Sequence, residues 1–106
     1  MRHAGIVDKR VKSSRRLAVL HAASEMDRVG HQRARLAITA AKALVPKAVL
    51  GTIDVAIQLH GAAGVSQDTK LAGYWGAVRA LRLADGPDEV HLMAVGKHLI
   101  KMHSKL

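Results

Sequence analysis

The sequence predicts an all-α protein, an antiparallel helical bundle with a thin core, and three observations carry that prediction. Of its 106 residues, 49% are apolar, yet Tyr74 and Trp75 are the only aromatics. A core rich in Ala and Leu suits helices that approach closely. Apolar residues recur at steps of three and four over long stretches, and no stretch alternates in strand fashion. The breaks between those stretches fall at Gly30, at Gly61 to Gly64 and at Gly86-Pro87, where glycine closes one helix and proline suits the opening of the next. A chain of this length makes one domain.

Taken in order, residues 1–10 form a basic N-terminal segment and residues 11–106 a helical domain. From about Val11 to Val29, the residues Val19, Ala22, Met26 and Val29 make one amphipathic stripe, and Gly30 ends the helix. The next helix runs from near Gln32 to about Leu59, with Lys42, Lys47 and Asp54 as its only charges after Leu36. Such a helix must be covered on most sides, as the centre of a bundle or within a subunit interface. Pro46 removes a backbone bond in its middle, so a kink or a division into two helices is expected. Asp68 or Thr69 can cap a third helix whose face is Leu71, Tyr74, Trp75, Val78 and Leu81. From Pro87 onward, Leu92, Val95, Leu99, Met102 and Leu106 repeat at bundle spacing.

Composition excludes several classes. A net charge of +9 invites a nucleic-acid partner, since Lys and Arg neutralise phosphates irrespective of sequence. The cations crowd the first sixteen residues, from Arg2 to Arg16, and no aromatics interleave them. A stacking surface for single strands is therefore absent, as is any zinc-finger or RNA-binding signature, and nucleic-acid binding is not expected. The Arg-rich start also has the composition of an organellar transit peptide, but Val11 onward reads as a folded helix. The absence of cysteine removes disulfides and thiolate metal sites. The seven histidines lack a paired ligand spacing. No run of 18 uncharged residues is present, so no membrane span is expected. The terminal Ser104-Lys105-Leu106 matches the peroxisomal address, with the mitochondrion as the alternative destination.

Two stretches carry candidate chemistry. In Ala84-Asp85-Gly86-Pro87-Asp88-Glu89-Val90-His91, Asp85 stands in a turn that opens into a helix, and Asp88 and Glu89 place negative charge at the positive end of its dipole. Asp85 can cap that helix or take a proton, and residue type alone favours capping. In Gln58-Leu59-His60-Gly61-Ala62-Ala63-Gly64, glycine is first a C-cap. Small residues there would also let backbone amides approach a phosphate, with the Gln58 amide alongside.

Together, Gln58-x-x-Gly61-x-x-Gly64 and the Leu81-to-His91 string strongly resemble the C-terminal domain of FAD-dependent acyl-CoA dehydrogenases, from about Val11 to the end. The string at 84–91 resembles the branch acting on long-chain acyl-CoAs. The resemblance implies a four-helix bundle, of which this chain supplies at most three helices, and a homo-oligomer in which the domain contributes to a neighbour's flavin site. It implies α,β-dehydrogenation of an acyl-CoA thioester. Asp85 falls where the family places its catalytic carboxylate, commonly Glu, and a desolvated carboxylate there is a usable base. Gly86 falls near the thioester. Gln58, Gly61, Ala62 and Gly64 match contacts to the adenine and pyrophosphate part of FAD, with Ala62 where glycine is usual. Pro87 and Glu89 match further FAD contacts, although Pro87 has no N–H, and Lys70 stands where related sequences often have Pro. Family members are several times longer, so the chain is expected to be a fragment that neither holds FAD tightly nor turns over substrate alone. The alternative is a non-catalytic module that docks on a full-length dehydrogenase, or oligomerises, through the apolar face of residues 36–59.

Overall fold

The computed structural model describes the backbone of residues 2–105 and the side chains of residues 13–105. Leu106, the last member of the expected final stripe and of the terminal tripeptide, lies outside the described residues. Five helices follow one another: α1 (Arg2–Val29), α2 (His31–His60), α3 (Ala62–Val65), α4 (Leu71–Leu81) and α5 (Asp88–His103). No strand occurs among the described residues. Helix α1 thus begins within the segment 1–10 that the sequence set apart as basic.

Gly30 makes the first reversal. It adopts φ +79°, donates its N–H to the Met26 carbonyl at 3.0 Å and accepts the Ala34 N–H at 3.0 Å. One residue therefore closes α1 and opens α2, and the two helices run antiparallel. The face α1 turns to α2 is Arg15, Ala18, Ala22, Glu25 and Val29, a three-four repeat. The expected stripe is therefore rotated by about one position, because Val19 and Met26 are exposed. Small side chains at Ala18 and Ala22, opposite a helix with buried Ala34 and Ala43, allow close approach, which the larger Val19 and Met26 do not. The Arg15 guanidinium bridges the pair by donating to Thr52 Oγ1 at 2.7 Å.

Helix α2 is continuous from His31 to His60 with Pro46 buried inside it, so the division into two helices does not occur. It is the hub of the fold: α1, α3, α4 and α5 all pack on it, while α4 and α5 do not pack on each other. By length and composition α2 is apolar enough to cross a membrane. Here it is instead the surface on which every other helix rests. The arrangement is an incomplete bundle. Although α1, α2, α4 and α5 are four helices of more than two turns, rather than the three expected, α1 packs on α2 alone among the described residues, and the ring does not close there.

The core is correspondingly thin. Ala22, Ala34, Ala43 and Leu50 are buried together with Pro46, and no large side chain is fully buried among the described residues. The radius of gyration is 16.7 Å, against about 13 Å for a globule of this length. In α5, the side nearer α2 holds Asp88, His91, Ala94 and Val95. The expected stripe members Leu92, Leu99 and Met102 are exposed, as are Tyr74, Trp75 and Leu81 of α4. Their periodicity marks an apolar face, but the surface that would cover it is not among the described residues.

Candidate functional site

Residues 82–88 connect α4 to α5 and are built by backbone bonds first. The N–H groups of Leu83 and Ala84 both donate to the Ala80 carbonyl, at 3.0 and 2.9 Å, and the Asp88 N–H reaches back to the Arg82 carbonyl at 3.2 Å. Closing this loop puts Asp85 at φ +54° and Gly86 at φ +103°. Asp85 is the one described non-glycine residue in the left-handed region. Asp tolerates that region better than most side chains, because its short polar group can hydrogen-bond to nearby backbone. Glycine at 86 meets a second demand, since a Cβ there would lie 3.3 Å from His91 Nε2.

Three side chains brace the turn. Arg82 Nε donates to Asp88 Oδ2 at 2.6 Å, an ion pair in which the carboxylate is buried. From α2, the Lys42 ammonium donates to the carbonyls of Leu81 and Ala84, the latter at 2.8 Å. His91 Nε2 lies 3.3 Å from the Asp85 carbonyl. Asp85 therefore does not cap α5. The N-cap is Pro87, with no side-chain bond, and its carbonyl accepts the N–H groups of Val90 and His91 at 3.0 and 3.4 Å. Proline thus stands one position earlier than the first helical residue. The Asp85 carboxylate is left exposed, and the dry surroundings a base requires are not supplied by the described residues. Lys42, Arg82 and His91 were not singled out by sequence reasoning. The one visible signal is that Lys42 and Lys47 are the two cations in the nearly uncharged stretch of α2 after Leu36, and it does not separate one from the other.

The glycine turn lies elsewhere. Gly61 caps α2 at φ +56°, its N–H donating to the Gln58 carbonyl, and open space surrounds the position of a Cβ there. Gln58, Gly61 and Ala62 are exposed. Gly64 is buried, and its N–H donates to the Gly61 carbonyl at 3.0 Å. A Cβ on Gly64 would fall 2.5 Å from the Ile57 carbonyl oxygen and 2.9 Å from Ile57 Cα. Both are backbone atoms that cannot swing away, so Gly64→Ala is expected to destabilise the chain by about 2 kcal/mol, read as a lower denaturation midpoint by circular dichroism. After it, Thr69 Oγ1 and Ser66 Oγ both donate to the Ala63 carbonyl at 3.1 Å. Lys70, not Asp68 or Thr69, is the N-cap of α4, without a side-chain bond. The Thr69 hydroxyl is already committed to Ala63. An open depression of about 420 Å³ beside this turn is lined by Ser66, Lys70 and Tyr74 among others, and no predicted site residue faces it.

The two stretches are not brought together. Lys42, which holds the Asp85 turn, and Gln58 are sixteen residues apart on one helix, about 24 Å at the α-helical rise. A single small ligand does not touch both. An elongated ligand, or two ligands in an assembly, can.

One apolar hub helix, with an exposed carboxylate on a braced left-handed turn packed against its first half and an open glycine turn at its far end, defines an all-α domain organised on a single central helix. The chain belongs to the acyl-CoA dehydrogenase C-terminal domain family, whose sequence profile matches residues 9–100. It is 52% identical over 91 residues to the probable acyl-CoA dehydrogenase IBR3 of Arabidopsis thaliana, covering 86% of this chain and 11% of that protein. It is 43% identical to the probable acyl-CoA dehydrogenase FadE2 of Mycobacterium tuberculosis, covering 88% of this chain and 24% of that protein. Among solved structures, a protein assigned as an acyl-CoA dehydrogenase from Mycobacterium abscessus superposes with a TM-score of 0.88 at 44% identity, over 92% of this chain and 24% of that one. The chain thus spans between a tenth and a quarter of these relatives' length.

Proposed function

We propose that this chain is the base-carrying C-terminal part of a flavin-dependent acyl-CoA dehydrogenase, an oxidoreductase acting in fatty-acid oxidation, with Asp85 as the α-proton base. The observation that carries the reading is the exposed Asp85 carboxylate, released from capping and held on a braced left-handed turn, in a chain whose residues 9–100 match the family. The substrate is an acyl-CoA, and the resemblance of residues 84–91 points to long chains. Asp85 takes the proton from the α-carbon, and Gly86 lies beside the thioester. A positioned general base of this kind contributes about 10²- to 10⁴-fold in rate.

The residues present fit one edge of FAD. Gln58 offers an exposed amide, and Gly61 and Ala62 present small exposed surfaces with open space over Gly61. Gly64 acts through shape, by letting α3 lie against the Ile57 backbone. Glu89 is exposed at the start of α5, next to Pro87. When bound, the flavin supplies the acceptor for the hydride that leaves the β-carbon. The separation of Gln58 from the Asp85 turn along α2 supports an oligomer in which the two ends serve different active sites. Ser104-Lys105-Leu106 supports a peroxisomal destination, and a fluorescent protein ending in residues 95–106 is expected to concentrate in peroxisomes. Diffuse fluorescence would remove that assignment.

A second reading is favoured by the open stripe on α2, where Leu44, Val55 and Leu59 are 60%, 58% and 79% exposed on nearly the same side of the helix. In it, the chain docks through that stripe on a full-length dehydrogenase and catalyses nothing. The natural polypeptide, captured with an antibody to residues 87–106, separates the two. A flavin-bearing product several times heavier than 11.4 kDa, with dehydrogenase activity, supports the first. An 11.4 kDa product free of flavin overturns it and leaves the second.

A further inference from the structure

We propose that Lys42 is a positioning residue for Asp85, a role that rests on Asp85 being the base. The backbone angles of Asp85 are fixed by the two rigid peptide planes that flank it. The Ala84–Asp85 plane is held through the Ala84 carbonyl, which accepts from the Lys42 ammonium at 2.8 Å. The Asp85–Gly86 plane is held through the Asp85 carbonyl, 3.3 Å from His91 Nε2. Each plane therefore has one side chain on it, and the two come from different helices, α2 and α5.

Lys42 does the larger share. It also accepts the task of pairing the Leu81 carbonyl, one of the last carbonyls of α4, which has no partner within its own helix. A cation at that end is also favoured by the helix dipole. The lysine stands in an otherwise uncharged stretch of the hub helix, and its two bonds lie at the exposed rim where α2 meets the turn. Because α2 carries every other helix, this bond ties the height and direction of the Asp85 turn to the frame of the whole domain. His91, by contrast, moves with the turn it serves.

The test is amide hydrogen exchange by NMR on the full 106-residue chain. In Lys42→Met, protection at the Ala84 and Asp88 amides is expected to fall about tenfold or more, the scale of a lost charge-assisted hydrogen bond, while the α1 and α2 amides hold. Lys42→Arg, which keeps the charge and the donors, is expected to restore it. Unchanged protection at Ala84 and Asp88, a uniform loss over α1 and α2, or no rescue by arginine would each overturn the proposal. In the complete flavoprotein, Lys42→Met is expected to lower kcat with KM for acyl-CoA held. Full turnover in Asp85→Asn would sink the base reading alone, while the exchange result would still decide whether Lys42 holds the turn.

Discussion

Replacing Asp85 with asparagine in the complete flavoprotein is expected to slow α-proton exchange of bound acyl-CoA by about 10²- to 10⁴-fold with FAD still bound. The substitution is close to ideal for separating chemistry from fold. Asparagine has the same size as aspartate and shares its tolerance of the left-handed region, so φ +54° at this position is retained at little cost. The carboxylate makes no cap at α5, so no helix start is lost. What disappears is the proton acceptor. Deuterium uptake at the substrate's α-carbon, followed by mass spectrometry, reads that loss directly, and flavin absorbance reports whether the site is otherwise assembled. Exchange at the wild-type rate would remove Asp85 from the reaction. Asp85→Glu is the instructive companion. It restores the carboxylate common in the family, but its longer side chain sits less easily at positive φ, so partial activity is expected.

The second large effect is on stability. Asp88→Ala is expected to cost about 3 kcal/mol, because it leaves the partly buried Arg82 guanidinium without its carboxylate partner. The Asp88 side chain is 8% exposed and that of Arg82 is 28% exposed, so water recovers part of the loss and the figure stays at the lower end for buried pairs. Asp88 also occupies the first turn of α5, where its charge meets the helix dipole. Arg82→Ala is expected to cost a similar amount by leaving the buried carboxylate unpaired. The double variant should cost less than the sum of the two, since each single change already breaks the same bond. Urea titration followed by helical circular dichroism gives all three values. Simple additivity would show that the 2.6 Å contact carries no coupling.

Much of the chain was legible in its residues. Gly30, Gly61 and Gly86 occupy positive φ, and each was marked by its place after an apolar periodic run. The long helix ends within a residue of where the pattern put it. The faces were less legible. In α1 the buried seam is rotated because Ala18 and Ala22 permit a closer approach than Val19 and Met26. In α5 the stripe Leu92, Leu99 and Met102 is a true apolar face turned away from α2, so periodicity identified the face and not its partner. The cap expected at Asp68 or Thr69 does not form, and of the two roles open to Asp85 the capping one is not taken. Those residue types can bond locally in several ways: the Thr69 hydroxyl donates to the Ala63 carbonyl instead, and the loop around Asp85 closes through its own backbone bonds with Pro87 at the N-cap.

The sequence by itself determined the all-α class, the order of the helices, their glycine boundaries and the position of the carboxylate, because each depends on neighbours within about a turn of helix. Only the tertiary structure decided that Asp85 does not cap α5, that Lys42 reaches the Ala84 carbonyl beside it from a helix some forty residues earlier in the chain, and that the glycine turn stands far from it along α2. Those facts depend on how helices cross in space, and a pattern of three and four residues carries no record of the crossing.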